Sequence, residues 1–80
     1  MRIDKYLKVA RIIKRRTIAN EACDAGRVLV NGKSVKAGYE IKAGDLIEIS
    51  LGSKVSRYKV LQVKETIRKE EADALYEVIP

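Results

Sequence analysis

Apolar residues open the chain with a helical rhythm. Ile3, Tyr6, Leu7, Ala10 and Ile13 fall on one side of a helix turned at ~100° per residue, which predicts a helix over residues 4–13. Asp4 is expected as its N-cap or first-turn acid. Lys14-Arg15-Arg16 breaks the rhythm and reads as a turn. Ile18, Ala19, Ala22 and Cys23 then share a face, predicting a second helix over residues 16–25 with Asn20, Glu21 and Asp24 outward. Gly26 follows, where a helix end favours a left-handed residue. From here the period falls to two. Residues 27–30 and 33–35 flank Asn31-Gly32, the signature of a two-residue hairpin loop. Residues 46–51 alternate, with Ile47, Ile49 and Leu51 on one face. Gly52-Ser53 turns the chain into residues 54–63, where Val55, Leu61 and Val63 share a side with Arg57 and Lys59, so the buried side of that strand stays open. Residues 67–76 predict a last short helix docked by Ala72, Leu75 and Tyr76, with residues 77–79 as a closing strand. The fold class expected is α+β: two N-terminal helices packed on a small, mostly antiparallel sheet, plus a short C-terminal helix. One domain is expected over residues 1–80.

Charge changes this picture more than composition does. The formal net charge is +6, and residues 1–16 carry all of it. Arg2, Lys5, Lys8, Arg11, Lys14, Arg15 and Arg16 stand there against the single acid Asp4, whereas later acids and bases balance. Lys5, Lys8 and Arg11 line the side of the first helix opposite its apolar face. Like charges at that spacing repel, and an anionic partner would offset the repulsion. Basic residues also crowd the start of the second helix, the wrong end for its dipole unless an anion is held there. A polyanion is the natural partner. If six or seven phosphates were engaged, affinity would drop by about three orders of magnitude between low and physiological salt.

Other chemistry is poorly supplied. The chain has no His or Trp, and its one Cys lacks a partner for a metal or a nucleophile pair. The five glycines form no phosphate-cradling motif. The composition argues against an enzyme, and no metal or cofactor is expected. Cys23 reads as a small buried hydrophobe. No apolar run approaches the ~18 residues of a membrane span, and the charged N-terminus does not read as a secretory signal. With a lone cysteine, these features point to the cytoplasm.

The order of motifs resembles the S-four RNA-binding domain. The resemblance is carried over residues 1–51 by Arg2-Ile3-Asp4-Lys5-Tyr6-Leu7, Arg15-Arg16-x-x-Ala19, Gly26-Arg27-Val28-Leu29-Val30-Asn31-Gly32 and Gly44-Asp45. It implies that the two helices and adjoining hairpin hold structured RNA, with residues 52–80 as an added hairpin and helix. Arg2, Asp4, Lys5, Arg11 and Arg16 match the RNA-facing positions by this likeness. Lys8, Lys14, Arg15, Thr17, Asn31 and Lys33 complete the expected RNA-binding set, and Arg16 and Arg2 lead it because a guanidinium forks onto phosphate. Tyr6 could stack on a base, but its helical phase favours the core. Members often carry Ser or Thr where this chain has Arg15, so Thr17 or a bound phosphate is expected to serve the second helix start. Proline also commonly follows where this chain has Val35-Lys36-Ala37.

Residues 69–77 and the opening Arg-x-Asp-Lys-Tyr-Leu-Lys-Val-Ala-Arg are similar to the heat-shock-protein-fifteen branch, in its tail-less form associated with ribosome-associated quality control. That likeness implies binding to large-subunit ribosomal RNA and tRNA on obstructed subunits holding peptidyl-tRNA. It further implies support of RqcH-dependent alanine tailing, with no membrane partner and a monomer when free. A subunit-recycling role, a general ribosomal-RNA-binding or assembly module, and a fragment of an RNA-modifying enzyme are the alternatives. A membrane-surface helix is opposed by the narrow apolar side of residues 4–13, which the strands need for packing. Arg16→Ala is expected to leave stability within ~0.5 kcal/mol, as at an exposed surface position.

Overall fold

The computed structural model describes residues Met1–Pro80. Helices α1 (Ile3–Val9) and α2 (Arg16–Asp24) precede strands β1 (Val28–Val30), β2 (Lys33–Ser34), β3 (Leu46–Leu51) and β4 (Lys54–Val60). A 3-10 helix (Lys69–Ala74) then leads into β5 (Tyr76–Ile79). No helix is long and apolar enough to cross a membrane.

Helix α1 is capped by a loop. Arg2 occupies the N-cap position without a side-chain cap bond. The N–H groups of Ile3 and Asp4 instead donate to the carbonyls of Tyr39 (2.8 Å) and Ala37 (3.3 Å), and the Lys5 N–H donates to the Asp4 carboxylate (2.8 Å). The orphan donors of this helix start are thereby satisfied within the protein. Asp4 is therefore a first-turn residue, not the N-cap.

The far end of α1 comes earlier than its apolar rhythm predicts. Arg11 adopts a left-handed conformation (φ 61°). Its N–H donates to the Lys8 carbonyl and that of Ile12 to the Leu7 carbonyl, both at 3.0 Å, which is the reversed bond pair that closes a helix. Ile13 still reaches the core from the following turn, which is why it kept the helical phase. Gly26 (φ 75°) closes α2 in the same way, through Gly26 N–H to Cys23 and Arg27 N–H to Ala22. The two helix ends share one solution, but only one uses glycine.

The sheet is antiparallel in the order β2-β1-β3-β4-β5. Val30 pairs with Lys33 across Asn31 (φ 53°) and Gly32 (φ 85°), the two-residue loop that the sequence predicts. Register decides which side of β4 is buried. Ile47 pairs with Tyr58 and Ile49 with Ser56, so Ser56, Tyr58 and Val60 face the helices, and Val55, Arg57 and Lys59 face away. Strand β4 ends at Val60, short of the expected residue 63, and Leu51 lies exposed at the hairpin tip.

Both helices pack on the Val28, Val30, Ile47, Ile49 and Val60 face to form one core with Ile3, Tyr6, Leu7, Ala10, Ala19 and Cys23. Burial removes the larger apolar side chains from water at a gain of ~1.5–3 kcal/mol each. It also pushes the Cys23 thiol up to about 11, with the Asp4 and Asp24 charges adding to the effect. Ile18, expected on the apolar face of α2, is instead half exposed.

The short helix expected over residues 67–76 is a 3-10 helix over Lys69–Ala74, with Tyr76 already in β5. A buried anchor explains this. The Leu75 carbonyl accepts from the Tyr6 hydroxyl (2.7 Å) and from the N–H groups of Leu61 (2.8 Å) and Gln62 (3.2 Å). The chain must leave that point extended for Tyr76 to pair with Val60. Ala72 and Leu75 dock as expected, and the Tyr76 ring meets Tyr58 edge-on with centroids 5.3 Å apart.

Candidate nucleic-acid interface

Asp4 is the only charged side chain buried in the protein, at 1% exposure. Helix geometry points its carboxylate across α1 at the start of α2. Arg2 Nε and Nη2 approach Oδ1 and Oδ2 at 3.2 Å each, from the residue before α1. Asn20 Nδ2 donates to Oδ2 at 3.4 Å, and Arg16 Nε lies 3.4 Å from the same oxygen. Burial acts to raise the Asp4 pKa. The bonds from Asn20, Arg16, Arg2 and the Lys5 N–H outweigh it and hold the carboxyl below its ordinary value of 3.8. The group stays ionised, and its charge gathers two guanidinium groups from different elements. Each arginine remains about half exposed, so donors not used on Asp4 face solvent.

Arg16 joins this clamp to a second concavity, whose lining includes Lys5, Lys8, Arg11 and Lys14 together with Glu65, Thr66 and Ile67. Glu65 is the lone acid of that lining and pairs with Lys5, which lowers the Glu65 pKa. The left-handed turn at Arg11 bends the chain along this cleft instead of carrying the helix onward. The α2 start opens toward the same region. Arg15 at its N-cap supplies no side-chain cap, and the N–H groups of Arg16, Thr17 and Ile18 have no partner in the protein. Thr17 lies inside the helix and does not take over the capping role. The contrast with the closed start of α1 is chemical: one helix end is filled by carbonyls, the other is open and flanked by arginine.

The structure thus brings Arg2, Asp4, Lys5, Lys8, Arg11, Lys14 and Arg16 into two adjoining concavities that share Arg16, and Thr17 lines the clamp side. Arg15 is exposed but lines neither. Asn31 and Lys33 lie apart, in a third groove beside the β1–β2 hairpin. Both ends of the Asn31 amide are committed there, Nδ2 to Asp45 (3.1 Å) and Oδ1 to the Leu46 N–H (3.0 Å). Tyr6 is fully buried and spends its hydroxyl on Leu75. Sequence reasoning missed Asn20, which it turned outward, and Glu65. Asn20 carried a usable signal, since it stands one helical turn beyond Arg16. The Glu65 segment carried none.

The Arg16–Asp4 contact also corrects the stability expected of Arg16→Ala. Removing one of two guanidinium partners of a buried carboxylate should cost ~1 kcal/mol, held to that by the exposure of Arg16 and by the remaining Arg2.

Basic groups gather on the first two helices, and the S4 domain model matches residues 1–47. The chain belongs to the S4 domain family. A Halalkalibacterium halodurans relative, "RQC P-site tRNA stabilizing factor", is 55% identical, the match covering 98% of this chain and 89% of the relative. A Streptococcus pneumoniae protein of the same description is 51% identical over 99% of this chain and 90% of its own length. Among solved structures, the trimeric heat shock protein 15 of Vibrio cholerae superposes with a TM-score of 0.90 at 28% identity, covering 99% of this chain and 81% of that one. Within this S4 domain, residues 1–47 take in α1, α2, β1 and β2 and reach the start of β3, so the clamp lies wholly inside the matched region.

Proposed function

We propose that this chain is an RNA-binding factor of ribosome-associated quality control. It binds stalled large ribosomal subunits that carry peptidyl-tRNA, through ribosomal RNA and tRNA, and supports RqcH-dependent alanine tailing. It acts in the cytoplasm, as a monomer when free, and is not itself a catalyst. The observation that carries the RNA-binding reading is the pair of half-exposed arginines held on buried Asp4 beside an open, basic helix start. Forked guanidinium donors and free backbone N–H groups both suit phosphate oxygens. Lys8, Arg11 and Lys14 then track the backbone without reading sequence, with Lys5, Arg15, Thr17 and Lys33 as outer contacts. The quality-control role is supported by two near-full-length relatives described as P-site tRNA stabilizing factors. The likeness to heat shock protein 15 supports a second reading, in which the same surface serves subunit recycling.

Cosedimentation with isolated large subunits, with and without peptidyl-tRNA, tests this. Occupancy should rise when peptidyl-tRNA is present, and the logarithm of affinity should fall against that of salt with a slope of about −5 for some six phosphates. Equal binding to both subunits would remove the quality-control role. A flat salt response would remove the phosphate clamp.

Arg11 allows stability and binding to be separated. Glycine adopts its left-handed φ freely, so Arg11→Gly should raise stability by ~0.5–1 kcal/mol and Tm by about 2–8 °C. The same change deletes a cation from the cleft and should weaken subunit binding several-fold. Thermal unfolding and sedimentation should thus move in opposite directions.

A further inference from the structure

We infer that the groove beside the β1–β2 hairpin is a pocket for an unpaired RNA base, which stacks on Tyr39 while its flanking phosphates meet Lys33 and Lys36. The inference rests on the RNA-binding function proposed for the clamp and adds a site that the clamp does not contain. Tyr39 is 37% exposed and makes no aromatic pair in the protein. Buried Val30 and half-buried Val35 line the same groove as its ring. Its rim carries Lys33 and Lys36, both exposed and in no ion pair, and its lining holds no acid. An accessible ring with apolar walls and unpaired cations is what a base and its two phosphates require.

Position supports the same occupant. The Tyr39 carbonyl accepts the Ile3 N–H, and the Ile41 N–H donates to Met1 (2.9 Å), so the loop is fixed to the start of α1. A Cβ on Gly38 would meet the Arg2 guanidinium carbon at 4.0 Å, which places the clamp arginine alongside the residue before Tyr39. The clamp and the groove, separate in their lining, are thus joined through the Gly38-Tyr39 backbone.

The test uses the full chain and RNA hairpins in which each loop position in turn is made abasic, with binding read by fluorescence anisotropy. Wild-type protein should lose about 5- to 150-fold in affinity at one loop position. Tyr39→Leu should show that loss on the intact hairpin and no further loss on the abasic one, whereas Tyr39→Phe should bind like wild type. Unchanged binding by Tyr39→Leu, or an abasic loss equally large in wild type and Tyr39→Leu, would overturn the pocket. Arg16→Ala on the same hairpins separates the two readings: its failure to weaken binding sinks the clamp, and its weakening beside a neutral Tyr39→Leu sinks only the groove. Photocrosslinking of 4-thiouridine hairpins to the wild-type chain needs no variant. It should yield a peptide containing Tyr39, and crosslinks confined to residues 2–20 would count against the site.

Discussion

Arg16→Ala is expected to weaken binding to large subunits by about 10- to 100-fold, the largest loss from any one basic residue of this surface. A hydrogen bond to a charged group contributes ~1.5–3 kcal/mol, and ~1.5–2.7 kcal/mol of it converts to that range. Arg16 exceeds its neighbours for three reasons. It lines both concavities, its guanidinium is oriented by Asp4, and it is the first residue of the open helix α2. Lys8 and Lys14 have none of these supports and should each cost less. The accompanying fall in stability, ~1 kcal/mol, is too small to unfold the chain at ordinary temperature, so sedimentation and thermal melts can be read separately. Arg16→Lys is the informative control. It keeps the charge but loses the fork, so it should recover the salt slope more fully than the affinity. Full recovery by lysine would show that charge alone matters at this position.

The parts of this architecture that were legible in the sequence are those fixed by local chemistry. Asn31-Gly32 specifies a hairpin whatever surrounds it, and Gly26 specifies a helix end. The apolar spacing of α1 likewise named five residues that all prove buried. Where a rule has a favoured residue and the chain uses another, the reading failed. Arg11 closes α1 in the conformation that glycine favours, and nothing in an arginine announces this. The two missed features of the C-terminal third had a different cause. The buried side of β4 depends on its register with β3, and the 3-10 helix depends on Tyr6 reaching the Leu75 carbonyl from the other end of the chain. Neither is encoded within a window of neighbouring residues.

The candidate site divides along the same line. Clustering of cations in residues 1–16 was visible as composition, and the structure gathers most of that cluster onto one region. What composition could not supply was the role of Asp4. As one acid among seven bases it resembled an exception, and only the approach of Arg16 and Asn20 from α2 shows it to be the point that organises them. Asn31 differs from Asp4, because its amide is engaged within the fold by Asp45 and the Leu46 N–H.

Asp4 therefore carries the second large prediction, and its sign is contrary to simple electrostatics. Asp4→Ala raises the net charge from the present +6, which on long-range attraction alone should tighten binding to RNA. The structure leads to the reverse. Without the carboxylate, Arg2 and Arg16 lose their common anchor, Asn20 loses its acceptor, and the guanidinium groups must be ordered at the moment of binding. Affinity should fall about 10-fold, toward the lower end of what ordering two long side chains costs. Stability should fall by ~2 kcal/mol, less than for a fully buried ion pair because both arginines can rehydrate. Acid unfolding gives an independent reading. The folded pKa of Asp4 lies below its unfolded value, so its contribution is complete above pH ~4 and is lost as pH falls through the lower, folded value. Asp4→Asn, which preserves shape but cannot titrate, should remove that part of the acid limb in circular-dichroism melts and leave the rest. Tighter RNA binding by Asp4→Ala, at unchanged salt slope, would mean that the acid merely dilutes a positive surface and does not build the clamp.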